Sequence, residues 1–234
     1  MHLSYKMLID KASVETLVGT KISKIDLYQK AFTHKSSLKE NENLESFETL
    51  EFIGDSVLGF VITKFLFDRY EKQREGFLTK ARTKLVRGET LANIAMKLEM
   101  YKWVQMDEKG MRNEWFKNPK ILEDVFEAFI GAIYMDLGLL HAKRFILNIY
   151  ENPQLVNMQS IMVDDNYKDH LMRYCQTHGH PLPDYRVISH DNGIFYVDVY
   201  VNNVILGRGF AKNKKQAEQN AAKYFFYPNC NIVQ

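Results

Sequence analysis

Residues 48–58, with the sequence ETLEFIGDSVL, decide the fold of the first half of the chain. Within and just after this stretch, apolar residues recur at intervals of three and four, at Leu50, Ile53, Val57 and Val61. That spacing places them on one face of an α-helix. The stretch therefore predicts a helix with a buried face.

Three carboxylates share another face of the same helix, because Glu48, Glu51 and Asp55 are also three and four residues apart. No Lys or Arg lies three or four residues from Glu51 or Asp55. Like charges stacked on a helix destabilise it. The pattern indicates that a positive charge from outside the helix neutralises these acids.

Residues 121–134, ILEDVFEAFIGAIY, repeat this theme with Asp124 and Glu127 three apart on a second apolar helix. Two such helices packed face to face would form a cage of oxygen ligands. With no His or Cys in either cluster, the ligand type favours Mg²⁺, with Mn²⁺ as a substitute, over Zn²⁺. Glu123 lies off this pair, and we predict that it is solvated.

Three glycines, Gly54, Gly59 and Gly131, lie inside these two helices. Each costs about 1 kcal/mol relative to Ala unless close helix packing requires it. We predict that they allow tight packing beside the acids. The competing interpretation of both clusters is a solvated acidic face, since most charged residues are exposed. For His34, a packing or hydrogen-bonding role is favoured over catalysis.

The remaining sequence predicts an α+β multidomain chain. Residues 1–150 show helical spacing throughout, including predicted helices at 80–100 and 119–137. Residues 151–163, with Pro153, predict a linker. Beyond it, a second domain at 164–228 shows the order α-β-β-β-α, with predicted elements at 166–178, 185–188, 194–201, 204–210 and 214–226.

Composition restricts the compartments and partners that we expect for the protein. The chain has 234 residues, is 46% hydrophobic and has a formal net charge of +2, so charge alone does not indicate a nucleic-acid partner. Cys175 and Cys230 are too few for a disulfide framework and suit a reducing compartment. No apolar run approaches the roughly 20 residues of a membrane span, and no signal peptide is evident. We expect an intracellular, cytoplasmic protein without a membrane partner.

The two acidic stretches, together with AFTHKS at 31–36 and EGFLTKARTKLVRGETLA at 75–92, resemble four motifs of the ribonuclease III family in the family's order. Four ordered motifs are far more specific than one short pattern. The resemblance implies that Glu51, Asp55, Asp124 and Glu127 bind metal, with Asp55 and Glu127 as the catalytic pair. It assigns Glu48 and Glu75 supporting acidic roles and implies a homodimer with one site per subunit. Lys120 could pair with Asp124 or with a phosphate.

The C-terminal stretches NYKDHLMRY at 166–174 and GRGFAKNKKQAEQNAA at 207–222 resemble a double-stranded RNA-binding domain. The resemblance assigns contacts with duplex RNA to Lys168, His190, Lys212, Lys214 and Lys215. Two features depart from the family pattern: Met172 and Arg173 replace the usual Gln and Glu, and SHDNG at 189–193 replaces the loop Gly-Pro-x-His.

We therefore predict an endoribonuclease that hydrolyses double-stranded RNA with Mg²⁺ and leaves 5′-phosphate and 3′-hydroxyl ends. One alternative is a catalytically inactive relative that binds RNA structurally, but such a protein should have lost its acids. A second alternative, an all-helical metal hydrolase of small nucleotides, is compatible with the acidic clusters but not with the C-terminal pattern.

Overall fold

A computed structural model describes residues 8–40, 45–159 and 166–228. The chain divides into two compact units, residues 1–162 and 163–234. The first is helical and the second contains a three-stranded antiparallel sheet flanked by helices, which confirms the predicted fold class. Domain limits of 1–150 and 164–228 stay a prediction. Cys230 lies outside the described residues. Every helix among the described residues is too short or too polar to cross a membrane.

Eight α-helices form the described part of the first unit, joined by short 3-10 turns. They are α1 (Lys11–Val18), α2 (Ile25–Ala31), α3 (Glu48–Arg69), α4 (Glu75–Leu85), α5 (Gly88–Lys97), α6 (Glu108–Arg112), α7 (Pro119–Leu137) and α8 (Leu139–Glu151). Large buried side chains such as Tyr28, Phe126, Phe129 and Tyr150 fill its core.

Helix α7 is the central element of this unit, and ten of its residues are buried. It begins as predicted at Pro119, where the side chain of Asn118 caps the helix, and ends before Gly138, whose φ is +81°. An N-cap, a proline in the first turn and a terminal glycine each fix a boundary, which is why both ends were predictable. It packs along α3, so the two acidic stretches lie on neighbouring helices.

The single helix predicted at 80–100 is wrong, because the chain forms α4 and α5 with a break at Val86 and Arg87. Arg87 is extended, with a φ of −70° and a ψ of 147°. Thr90 stabilises the break by donating its hydroxyl to the carbonyl oxygen of Lys84, at 2.9 Å. The apolar spacing continues across residues 80–100, and no proline marks the break between α4 and α5, so the break could not be predicted from the sequence.

Glycines permit the backbones of α3 and α7 to touch. A Cβ atom at Gly54 would lie 1.8 Å from the carbonyl oxygen of Glu127, and one at Gly131 would lie 2.2 Å from that of Leu50. Both positions therefore require glycine, as predicted. The prediction was wrong for Gly59, where a Cβ would meet nothing within 4 Å.

The first residues of the predicted linker pack on the helical unit. Val156 is only 3% exposed and belongs to the helical core. Lys97 donates its ammonium to the carbonyl oxygens of Gln154 and Leu155, at 2.8 and 2.9 Å. This part of the chain is therefore fixed to α5 rather than being a free tether.

The second unit consists of α9 (Tyr167–Thr177), β1 (Asp184–Asp191), β2 (Ile194–Val201), β3 (Val204–Ala211) and α10 (Lys214–Phe226), with the strand order β1-β2-β3. Cys175 is buried in its core. The predicted first strand was too short, because Asn192 and Gly193, both at positive φ, form a two-residue turn that leaves residues 189–191 paired with β2.

Candidate metal centre and RNA-binding residues

Three of the predicted carboxylates meet between α3 and α7. Glu51, Asp124 and Glu127 each offer an oxygen atom, and these atoms all lie within 4.8 Å of one another. Glu51 and Asp124 are half-buried, and Glu127 is only 6% exposed. Such a set of hard oxygen donors fits a divalent cation like Mg²⁺.

Asp55 lies one helical turn after Glu51 and outside this group of three. Its carboxylate is exposed and faces an open cleft of about 540 Å³ whose lining includes Phe60, Arg82 and Arg87. It is nevertheless close enough to raise the pKa of Glu127 by charge repulsion. The four acids thus form a trio that is half-buried at Glu51 and Asp124 and buried at Glu127, with one exposed acid at its edge.

Burial of Glu127 makes its negative charge costly. Burial first, and then repulsion by Asp55, Glu123 and Glu51, raise its pKa to about 8. Burial and the charge of Asp124 also raise the pKa of Glu51. A nearby cation strongly stabilises the charged form of carboxyl groups that are buried beside other negative charges.

Lys120 supplies a positive charge beside the trio. Its ammonium lies 2.7 Å from an oxygen of Asp124 and 3.4 Å from one of Glu123. This contact with Asp124 raises the pKa of Lys120. The predicted pairing of Lys120 with Asp124 is therefore present, and it leaves Glu51 and Glu127 to be neutralised by something else.

The prediction that Glu123 is solvated was wrong. Its side chain is 21% exposed, and its carboxylate lies against the first residue of α5, where a Cβ at Gly88 would meet it at 2.4 Å. The sequence could not predict this contact of Glu123 with α5, because Gly88 is 35 positions distant and follows a helix break that was not predicted.

The two supporting acids lie outside the trio. Glu48 begins α3, where ion pairing with Lys35 at 3.2 Å and a hydrogen bond from Ser46 lower its pKa. Glu75 begins α4 and is exposed, accepting a bond from the hydroxyl of Thr79 in the next turn. His34 has the predicted local role, since its Nδ1 accepts the backbone N–H of Ser36 at 3.1 Å.

Three of the predicted RNA-binding lysines are exposed: Lys214 and Lys215 begin α10, and Lys212 directly precedes its N-cap residue Asn213. The side chain of Asn213 accepts the N–H of Gln216 at 2.8 Å and fixes the beginning of this helix. The ammonium groups of Lys214 and Lys215 therefore lie at a capped helix end, where the helix dipole favours anions, and that of Lys214 is also 4.0 Å from the carboxylate of Glu218.

Lys168 and His190 are engaged within the second unit. The ammonium of Lys168 binds the carboxylate of Glu218 and lies 4.5 Å from the ring centre of Tyr185. The ring of His190 is stacked on Phe195 at 4.0 Å between centroids. For Lys168, these contacts indicate a role in joining α9 to α10.

Two family models match the chain. A ribonuclease-III-like model matches residues 24–153, and a model of the double-stranded RNA binding motif matches residues 167–224. The first match contains all four acids, and the second spans most of the α-β-β-β-α unit.

Curated relatives and a solved structure agree with these models. The chain is 40% identical over 220 residues to putative protein A464R of Paramecium bursaria Chlorella virus 1, covering 93% of this chain and 78% of the relative. It is 34% identical over 212 residues to ribonuclease 3 of Nitrosococcus oceani, covering 88% of each. A nuclease domain of ribonuclease III from Campylobacter jejuni, with a region involved in dimer formation, matches 61% of this chain and 98% of its own with a TM-score of 0.56 and 33% identity.

Proposed function

Because this chain belongs to the ribonuclease III family, as its motifs predicted, we propose that it is an endoribonuclease that cuts double-stranded RNA. The observation that carries this proposal is the meeting of Glu51, Asp124 and Glu127 oxygens within 4.8 Å. The alternative of an inactive RNA-binding relative is disfavoured, because it would have no use for three destabilising acids in one place.

The trio would hold Mg²⁺, with Mn²⁺ as a substitute, and Asp55 would complete the set from the exposed side. When bound, such an ion lowers the pKa of water and stabilises negative charge on a phosphodiester. Glu127, with its pKa near 8, can keep a proton while the site is empty and release it on loading. Lys120 holds Asp124 in place and adds positive charge beside the substrate phosphate. We propose 5′-phosphate and 3′-hydroxyl products.

The second unit would bind the duplex. Lys212, Lys214 and Lys215 can reach phosphates across a groove, since RNA-binding domains of this type recognise shape, 2′-hydroxyls and phosphates. His190, beside the turn between β1 and β2, would approach the minor groove. For Lys168 we propose support of this surface through Glu218 rather than direct contact.

A homodimer is also part of the proposal. One face of α3 leaves three phenylalanines in water: Phe52 is 77% exposed, Phe60 59% and Phe67 64%. A row of exposed aromatic side chains on one helix marks a protein interface. A symmetric pairing through this face would cover the row and place two metal centres in one particle.

A cleavage assay tests the function. The chain is incubated with a long RNA duplex, a single strand of the same length or a nucleoside triphosphate, each with Mg²⁺ or with EDTA. The proposal expects endonucleolytic cutting of the duplex in Mg²⁺ only, with products that a 5′-phosphate-dependent exonuclease degrades. Hydrolysis of the triphosphate with an intact duplex would instead support a small-nucleotide hydrolase.

A further inference from the structure

The sheet of the second unit has an outer face, opposite the buried valines of β2, that carries an exposed aromatic side chain. Val197, Val199 and Val201 point toward the helices and are buried. The alternate residues of β2 therefore point to the opposite side of the strand from these valines. Tyr196 is among them and is 40% exposed. Neither the predicted nor the proposed contacts with duplex RNA use this face.

Aromatic rings form the walls of a cleft on this face. Tyr196 is paired in register with Phe210 on β3, and their ring centres are 6.0 Å apart at an angle of 32°. Tyr224 of α10, 41% exposed, contributes a third ring to the same cleft. The cleft has a volume of about 470 Å³, enough for a planar heterocycle to enter.

A charged pair lies beside these rings. Asp198 forms the floor of the cleft, with its side chain 12% exposed, and its carboxylate lies 3.5 Å from the guanidinium of Arg208. Arg208 itself is 71% exposed at the rim. On the other side, Arg186 is in register with Asp198 and stacks on Tyr200 at 4.3 Å.

We propose that this cleft binds an unpaired nucleotide of single-stranded RNA. Exposed aromatic rings stack on bases, and arginine supplies both a second stacking plane and a phosphate contact. The floor carboxylate can accept N–H groups from a base edge. An apolar side chain of a protein partner would cover the Asp198–Arg208 pair without replacing the water removed from it, which is costly. The proposed occupant is thus RNA next to a duplex, such as a loop or an overhang.

The test uses the full chain in EDTA, so that the metal centre cannot cut, and a fluorescent 12-nucleotide single strand as the probe. Tyr196→Leu should weaken binding of the single strand about tenfold, since it removes a stacking ring. Tyr196→Phe, which keeps the ring, and Val204→Ser, on the same sheet outside the cleft, should bind like the wild type. Binding of a blunt duplex should not change with any of the three.

A second measurement needs no variant. A 5-bromouridine-substituted single strand is cross-linked to the wild type by light, and the attached peptide is identified by mass spectrometry. The proposal expects attachment at Tyr196, Phe210 or Tyr224. It is overturned if the links lie only outside the cleft, as they would if this face served a protein partner, or if Tyr196→Leu binds the strand as tightly as the wild type. Cutting of the duplex is measured in a separate assay. A protein that fails to cut can therefore still be tested for binding and cross-linking of the single strand.

Discussion

Glu127 combines a structural cost with the metal-binding role that we propose for it. It is 6% exposed, faces two other carboxyl groups and has a pKa raised to about 8. Because the folded state holds this proton more tightly than the unfolded chain does, Glu127 contributes stability below its ordinary pKa of 4.5. That contribution is lost as the pH rises from 4.5 through 8.

The raised pKa of Glu127 makes the free energy of unfolding depend on pH. In EDTA, the free energy of unfolding of the wild type should fall between pH 5 and pH 8 by more than that of Glu127→Gln. The excess should be at most about 4 kcal/mol, because one proton is worth at most about 1.4 kcal/mol for each of the three pH units. Urea unfolding at both pH values measures it, and adding Mg²⁺ should reduce the excess. An equal pH dependence in the two proteins would contradict the raised pKa of Glu127.

At this scale the sequence was informative about the acids and uninformative about their partners. Helical spacing alone brings Glu51 and Asp55 to one face, so these positions could be predicted. The ion pair of Lys168 with Glu218 joins residues 50 positions apart and has no local signal. The exposure of Asp55 could not be predicted either, because it depends on how α3 and α7 cross.

At the scale of elements, the contact between α3 and α7 brings the three carboxylates of the trio together. Ala at Gly54 or Gly131 would place a methyl group within about 2 Å of a carbonyl oxygen of the facing helix. We predict that Gly131→Ala lowers the free energy of unfolding by about 1–3 kcal/mol or more, as overpacking does. Gly59→Ala is the matched control and should raise it by up to about 1 kcal/mol, since Ala favours helix.

Chemical denaturation of these two variants in the same buffer checks the packing. If both glycines tolerate Ala equally, the helices do not approach as closely as described. Glycines in helices were a usable sequence signal, yet the sequence could not separate Gly59 from the other two. All three lie in similar apolar surroundings along the chain, and only the crossing of the two helices distinguishes them.

The start of α10 carries the next prediction. Replacing Lys214 and Lys215 by Ala should weaken binding of a blunt RNA duplex and reduce the slope of log affinity against log salt by about 1 for each phosphate that is no longer bound. Lys168→Met is the comparison: it should lower stability, because it removes the ion pair with Glu218, without reducing the salt slope. Anisotropy titrations at several salt concentrations measure both. A slope unchanged by the double substitution would remove these lysines from the RNA surface.

For the whole molecule, the exposed phenylalanines of α3 predict self-association. Phe60→Ser should raise the dimer dissociation constant about tenfold or more, because burial of a phenylalanine side chain is worth about 1.5–3 kcal/mol. Leu140→Ser, which removes a side chain that is 68% exposed on α8, should leave the dimer intact. Sedimentation velocity over a range of concentrations distinguishes the two. A monomeric wild type, or equal behaviour of the variants, would contradict this interface.

We propose that the carboxylate trio is the cutting centre. It is tested by the single-turnover rate of cutting of one RNA duplex in Mg²⁺ by the wild type, by Glu127→Gln and by Glu151→Gln, whose exposed carboxylate at the end of α8 lies outside the trio. We predict a loss of at least about 100-fold for Glu127→Gln, as expected when a group that holds a catalytic metal is removed, and a nearly unchanged rate for Glu151→Gln. If Glu127→Gln cuts the duplex at the wild-type rate, the trio is not the cutting centre.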